Sequence, residues 1–230
     1  MGALITALTT LSWIAFAGGG VCAHFGAIAP IKGFLVTMIG ALLSLLTLII
    51  AIVPLVRGRL DKPYVACLGF VPFVLVLASV LPATKFPRIN DITTDLDGPP
   101  AFTHATTLPD NSGRNMGYPD RFKEIVRKGY PDLKPLTLPV PPDQTYTRAL
   151  AAAKLLPGGE ITSEDAAAHT FEAVCTTWLF RFKDDFVVRI TADGTGSRID
   201  ARSKSRVGQG DMGANAARIR QLFELIAKQN

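Results

Sequence analysis

Between Met1 and Val56 the chain carries one charged side chain, Lys32. A stretch that long and that poor in charge cannot present a soluble surface. Cysteine is scarce too. Cys22 and Cys67 fall in the apolar opening, and Cys175 stands alone in the polar remainder. Pairing Cys175 with either would tie a lipid-embedded segment to a soluble one, so three free thiols and no disulfide framework are expected. A soluble part of this size buries enough core without one. The three histidines, His24, His104 and His169, are isolated from one another. No Ser-His-Asp set, HExxH motif or Cys/His metal spacing occurs, so neither a metal nor a cofactor is expected. A dense basic face with interleaved aromatics is also missing. From Thr84 onward 20 Lys and Arg stand against 18 Asp and Glu, so the net charge of +5 does not argue for nucleic acid.

What is present first is grease. Apolar runs cover Leu4 to Phe25, Gly33 to Val56 and Tyr64 to Ala83. Each reaches the roughly 20 residues that a helix needs to cross a hydrocarbon core of about 30 Å. Backbone polar groups in lipid must bond internally, so all three should be helical. Pro54 lies at the end of the second run; Pro72 lies inside the third and should kink it. The first run lacks the basic n-region of a cleaved signal peptide and is long for its apolar part, so a retained helix is expected. Gly18, Gly19 and Gly20 would permit close helix contact. His24 sits at a helix end and reads as an interfacial residue, and no charge lies deep in a span, so neither a channel nor a transporter is indicated.

Loop charge gives an orientation. Arg57-Gly-Arg-Leu-Asp-Lys62 carries three basic residues, whereas the connection around Pro30 carries only Lys32. The basic loop belongs in the cytoplasm. This predicts a multi-pass protein of a bacterial inner membrane with a cytoplasmic N-terminus. A membrane domain, 1–83, is followed by an extracytoplasmic, periplasmic domain, 84–230.

The polar part reads as α+β. Thr84 to Asn115 shows no lasting period and should be an extended leader. Pro119 to Lys128 predicts a short helix stopped by Gly129. Pro131 to Pro142 holds five prolines and should be a stiff connector. Asp143 is a candidate N-cap for a helix reaching Leu156, which Pro157-Gly-Gly159 ends. Ile219, Leu222, Phe223 and Ile226 give a clear helical period near the C-terminus. Between these helices lies sheet. Phe171, Ala173 and Cys175 share one phase and Trp178, Phe180 and Phe182 the other, which requires a bulge or break near Thr176–Thr177. Phe186 to Thr191 and Arg198 to Arg206 alternate around Asp193-Gly-Thr-Gly196 and form a hairpin. Pairing Arg189 with Asp200 sets Ile190 beside Ile199, Val188 beside Ala201 and Asp185 beside Lys204. A slip of two residues would set Arg189 against Arg198 or Arg202, and like charges directly opposite are unfavourable. The expected fold is three transmembrane helices, then an antiparallel sheet packed on one face by helices 143–156 and 214–228.

Gly208-x-Gly210-x-x-Gly213 spells a dinucleotide-binding fingerprint. That fold needs a second parallel strand about 20 residues on, and the final helix consumes what remains of the chain. The glycines instead read as a strand-to-helix turn, with Asp211 capping the helix. Helix N-termini attract anions, and Arg202 and Arg206 have no acid assigned by the hairpin register, so a phosphate or carboxylate could sit there. Alternatively both pair with Asp184 or Asp211 as structure. Asp184-Asp185 suggests acid–base or metal chemistry, but strand neighbours point to opposite faces. The candidate ligand-binding residues are Arg202, Arg206, Asp184, Asp185, Arg189, Asp211, Asn215 and Arg218.

Phe182-Lys-Asp-Asp-Phe-Val-Val-Arg-Ile190, Asp200-Ala-Arg-Ser-Lys-Ser-Arg-Val-Gly208 and Gly210-Asp-Met-Gly-Ala-Asn-Ala-Ala-Arg-Ile219 resemble the family called domain of unknown function number 1499. Asn90-Asp-Ile-Thr-Thr-Asp95 and Pro99-Pro-Ala-Phe102 are similar to its opening motif, and the resemblance runs over roughly 86–227. Some members carry cysteines in that opening motif, and this chain does not. The resemblance implies no reaction. Three functions stay open: a non-enzymatic envelope protein binding a small anion, lipid headgroup or partner protein; a hydrolase or transferase using Asp184, Asp185 and Arg202; or an accessory subunit of a membrane complex. Membrane lipids and a membrane protein are the expected partners.

Overall fold

The computed structural model describes residues 1–229. The chain forms two compact units. Met1–Lys85 and Trp178–Arg181 make the first; Phe86–Thr177 and the residues from Phe182 onward make the second.

The first unit contains α1 (Gly2–His24), α2 (Pro30–Val56) and α3 (Pro63–Val80), which runs into a 3-10 turn, Leu81–Lys85. All three helices are long and apolar enough to cross a membrane. Pro30 and Pro63 open α2 and α3, where a missing N–H costs nothing. Lipid gives no hydrophobic drive for helices to associate, so close approach through small residues does that work. A Cβ on Gly19 would strike the Gly33 carbonyl and Thr37, and one on Gly40 would strike the backbone of Ser12 and Phe16. Gly20 faces Leu179, while Gly18 has open space beside it.

Pro72 stands inside the continuous helix α3, and neighbouring helices satisfy the backbone groups it leaves without a partner. Proline has no N–H for the Leu68 carbonyl, and the Trp13 indole Nε1 donates to that oxygen instead, at 3.0 Å. The Phe73 N–H donates to Ser44 Oγ at 3.1 Å, and that hydroxyl donates to the Gly69 carbonyl. A side chain of α2 thus stands inside the hydrogen-bond ladder of α3.

The second unit contains β1 (Asp91–Thr93), 3-10 turns at Ala105–Thr107 and Pro109–Asn111, α4 (Asp120–Gly129), β2 (Leu136–Leu138) and α5 (Pro142–Ala153). Then come β3 (Gly159–Asp165), β4 (Thr170–Thr176), β5 (Lys183–Asp193), β6 (Gly196–Ser205) and α6 (Ala214–Ala227). The strands form one antiparallel sheet in the order β1-β6-β5-β4-β3, with β2 also on β6. The β5–β6 register is the one that charge selects: Arg189 opposite Asp200, Ile190 opposite Ile199, Val188 opposite Ala201 and Asp185 opposite Lys204. The phase conflict near Thr176 resolves as a break. β4 stops there, and Trp178–Phe180 lie in the turn before β5.

Four details depart from the sequence reading. The leader 84–115 supplies β1, which pairs with β6 through Asp91–Lys204, Ile92–Ser203 and Thr93–Arg202. The proline-rich connector supplies β2, whose flanking Pro135 and Pro139 are tolerated at a sheet edge. β3 was not anticipated, because Gly-Glu-Ile-Thr-Ser-Glu-Asp shows no apolar alternation. Asp143 is not the cap of α5: Pro141 holds that position, and the Asp143 carboxylate pairs with His169 Nε2 at 2.6 Å.

β1 and β2 divide the outer edge of β6 between them. Thr94 closes the gap: its N–H donates to the Ala201 carbonyl, and its Oγ1 accepts from the Ala201 N–H, both at 3.0 Å. One sheet face packs Phe171, Phe186, Val188 and Ile190 with Ala149 and Ala152 of α5 and Ile219 and Leu222 of α6, in a core that also holds Phe122 and Val126 of α4. Burial holds the Cys175 thiol on this face at about 11. The other face is where most of the candidate charges lie.

Candidate functional site

Alternation along β6 sends Ala201, Ser203 and Ser205 toward the helices, and Asp200, Arg202 and Lys204 to the opposite face. That face lies under residues 95–118, and Val187 packs there with Phe102 and Ala105. Arg202 is 2% exposed. Its Nε and Nη2 grip both oxygens of Asp91, at 2.9 and 2.8 Å. Lys204 Nζ reaches the same carboxylate at 2.9 Å. Two buried cations therefore share one buried acid, which leaves an excess positive charge out of water. The Arg202 guanidinium also donates to the Pro100 and Met116 carbonyls. It lies 4.7 Å from the Phe102 ring centre and 5.3 Å from that of Tyr118.

A second knot surrounds Asp185. It accepts from Arg206 Nη2 at 2.7 Å and from Asn111 Nδ2 at 3.0 Å, with Arg114 at 3.5 Å. Arg206 also holds Asp110 at 2.7 Å. In a third knot, Arg189 and Arg198 share Asp95 and Asp200. Glu172, 3% exposed, has no cation in contact among the described residues. Its carboxylate instead accepts from the Thr103 N–H and hydroxyl and from the His104 and Ala105 N–H groups, at 2.6–2.8 Å. It thereby caps the turn 105–107.

The remaining candidates lie on the helix face. Arg218 pairs with Asp184 at 2.8 Å and donates to Ser203 Oγ and Asn215 Oδ1. Asn215 in turn donates to Ser205 Oγ. The glycine-rich stretch is a strand-to-helix connection, with Gly208 and Gly213 at φ +91° and +84°. Asp211 caps α6, accepting from the Gly213 and Asn215 N–H groups, both at 2.9 Å. Burial pushes its carboxyl above the usual range against those two donors, and Asp184 adds to the rise.

The eight candidate residues therefore do not form one site. Arg202, Arg206, Asp185 and Arg189 lie on one face; Asp184, Asp211, Asn215 and Arg218 lie on the other. An anion held jointly by the α6 N-terminus, Arg202 and Arg206 is not what this arrangement offers, because Asp211 takes the helix N–H groups and the two arginines face away. Nor do Asp184, Asp185 and Arg202 converge on a point where a substrate atom could react. The acids of Arg202 and Arg206 are not Asp184 or Asp211 but Asp91, Asp185 and Asp110. Among the described residues no group of three His, Cys, Asp or Glu side chains is arranged to hold a metal.

One cleft opens onto the ionic face. It has a volume of about 380 Å³, and Arg202, Phe102, Met116, Tyr118 and Lys123 are among its lining. Lys123 is paired with Asp120 at 2.9 Å. Of the five Arg202 N–H groups four have acceptors, and the second hydrogen on Nη1 has none among the described residues. The Tyr118 hydroxyl is buried without a partner among the described residues. Burial, with Asp91 nearby, raises the pKa of that phenol far above the ordinary tyrosine value and keeps it neutral. A buried donor left unmatched is costly, and two at one cleft make a place where a ligand acceptor would be stabilised. Sequence reasoning missed Asp91, Tyr118 and Glu172. The signal was the pair of opening motifs, Asn90–Asp95 and Pro99–Phe102, which supply Asp91 and the Phe102 wall.

Three helices long and apolar enough to cross a membrane, followed by an α+β unit built on one antiparallel sheet, define a class whose features suggest membrane association. Within that class the chain belongs to the DUF1499 family, described as protein of unknown function, whose model matches residues 91–226. A comparison with curated proteins found no match. Among solved structures, the crystal structure of Ara h 8.0201 aligns at 15% identity and a TM-score of 0.31. That alignment covers 42% of this chain and 96% of the other.

Proposed function

We propose that this is a multi-pass protein of the bacterial inner membrane, with its N-terminus in the cytoplasm. Its periplasmic domain binds, without catalysis, a small ligand with an anionic end, either a free anion or a lipid headgroup. The cleft at Arg202 carries this reading. Its walls include Phe102, Met116 and Tyr118; its arginine is dry and keeps one N–H without an acceptor among the described residues; and Lys204 adds a second cation to the one Asp91 carboxylate. An anion there would complete the charge balance and accept from Arg202 and the Tyr118 hydroxyl. Apolar walls with a few fixed polar groups are the usual make-up of a small-molecule site.

Native mass spectrometry of the full chain after gentle detergent extraction tests it. Met116→Trp fills the cleft and leaves the Arg202–Asp91 pair in place. A bound small anion or lipid is expected on the parent protein and should drop at least tenfold in occupancy on the variant. A parent protein that carries no such ligand, or one that the variant retains equally, would refute the assignment. The two sources separate by the mass that is lost.

A further inference from the structure

The turn between β4 and β5 has the wrong residues for a turn. Hairpin connections favour Gly, Asn, Asp and Pro, which supply tight geometry. Here the chain places Trp178-Leu179-Phe180-Arg181, and Arg181 takes φ +61°, a region that side chains larger than glycine avoid. An unfavourable backbone conformation is thus accepted in order to hold three apolar side chains at one spot. They are not hidden there: Trp178 is 75% exposed and Leu179 39%.

The surroundings say what the exposed side chains face. These four residues belong to the helical unit. The Trp178 carbonyl lies 2.8 Å from His24 Nδ1, the Phe180 ring stands 5.5 Å from that of Phe34, and Leu179 rests where Gly20 leaves room for it. His24 ends α1, and Phe34 lies in the first two turns of α2. All of these contacts therefore gather at one end of the bundle, where Phe25 is also 81% exposed. Helices long enough to cross a bilayer have their ends at its interface, and tryptophan is the residue enriched at that level. Arg181 follows at once and is exposed, placed where a cation meets phosphate groups.

We propose that Trp178-Leu179-Phe180 is a bilayer-docking tip, with the Trp178 indole and the Leu179 side chain immersed in the interfacial layer of the membrane that α1–α3 span, and with Arg181 at headgroup level. The occupant of this apolar surface is phospholipid, because the surface continues the lipid-facing ends of α1 and α2. The inference is independent of the Arg202 cleft.

The chain has two tryptophans, so Trp13→Phe leaves Trp178 as the single reporter. The full-length variant is reconstituted in nanodiscs of phosphatidylcholine and phosphatidylglycerol. Emission should shift to the blue, iodide quenching should fall at least threefold relative to free N-acetyltryptophanamide, and lipids brominated near the headgroup end of the acyl chain should quench strongly. Water-like emission with full iodide access, or shielding from iodide with no bromolipid quenching, would overturn the proposal. Trp13 supports α3 at Leu68, so a second measurement avoids touching it. Leu179→Cys is made in a Cys22→Ala, Cys67→Ala background and carries a nitroxide. It should collide with oxygen at least threefold more often than with a water-soluble nickel chelate, and the opposite ratio would reject the tip as a lipid contact.

Discussion

On the helix-covered face of the sheet, Phe171, Phe186, Val188 and Ile190 are sealed by α5 and α6. On the other face, at comparable depth, lie Asp91, Glu172, Asp185, Arg202 and Lys204 under residues 95–118. Both faces exclude water, and they differ in what a substitution would expose. An apolar contact loses roughly the transfer energy of the atoms removed plus a cavity term. An ion pair loses its partner and leaves a charge stranded in a poor solvent, which costs more than the pair itself contributed. The helix side is therefore tolerant of gradual change, whereas the loop side is built from all-or-nothing units.

The largest test of that contrast is Asp91→Ala. It strands Arg202 and Lys204 together, and unfolding by urea should show a loss of about 3–5 kcal/mol or more. A loss below about 1 kcal/mol would mean that water enters that face and that the contrast fails. Next comes Ile199→Val, which removes one methylene from a fully buried side chain on the helix face. It should cost about 0.5–1.5 kcal/mol in the same assay. Smaller still is Asp211→Asn, because asparagine keeps the capping acceptor. Its interest lies in pH. The fold raises this carboxyl, so the group's contribution is full below the ordinary value of 3.8 and is lost as pH rises through the raised one. Parent stability relative to Asp211→Asn should therefore fall as pH climbs from 3.8, and a flat difference would remove the titration argument. The least intrusive test is chemical. Cys175 is buried with its thiol at about 11, so in a Cys22→Ala, Cys67→Ala background iodoacetamide at pH 8 should label it only after unfolding.

The sequence makes the helix face far more legible than the ionic one. Ile219, Leu222 and Ile226 recur at helical spacing, and Arg189 could be matched to Asp200 because both lie in one hairpin. Such signals are local. Arg202 could not be matched to Asp91, because the acid sits in a three-residue strand 111 positions away, too short to show any alternation. Glu172 was unreadable for a related reason: three of its four donors are backbone N–H groups of a loop, and these look the same in every sequence. The membrane helices were visible from length and hydropathy. The Ser44 hydroxyl that splices the α3 ladder was not, because nothing in the sequence pairs it with Pro72.

Because two short segments from distant parts of the chain share β6, with Thr94 bridging the seam, that side offers a passing extended chain no free row of amides and carbonyls. The opposite margin of the sheet, β3, remains open and carries Glu160, Glu164 and Asp165, charges that discourage a second molecule from adding a strand. If the leader 84–94 were cut away, the edge of β6 would open from Ala201 to Lys204, while β2 still covered Ile199. The molecule would then be expected to polymerise through β6 before it lost its helices.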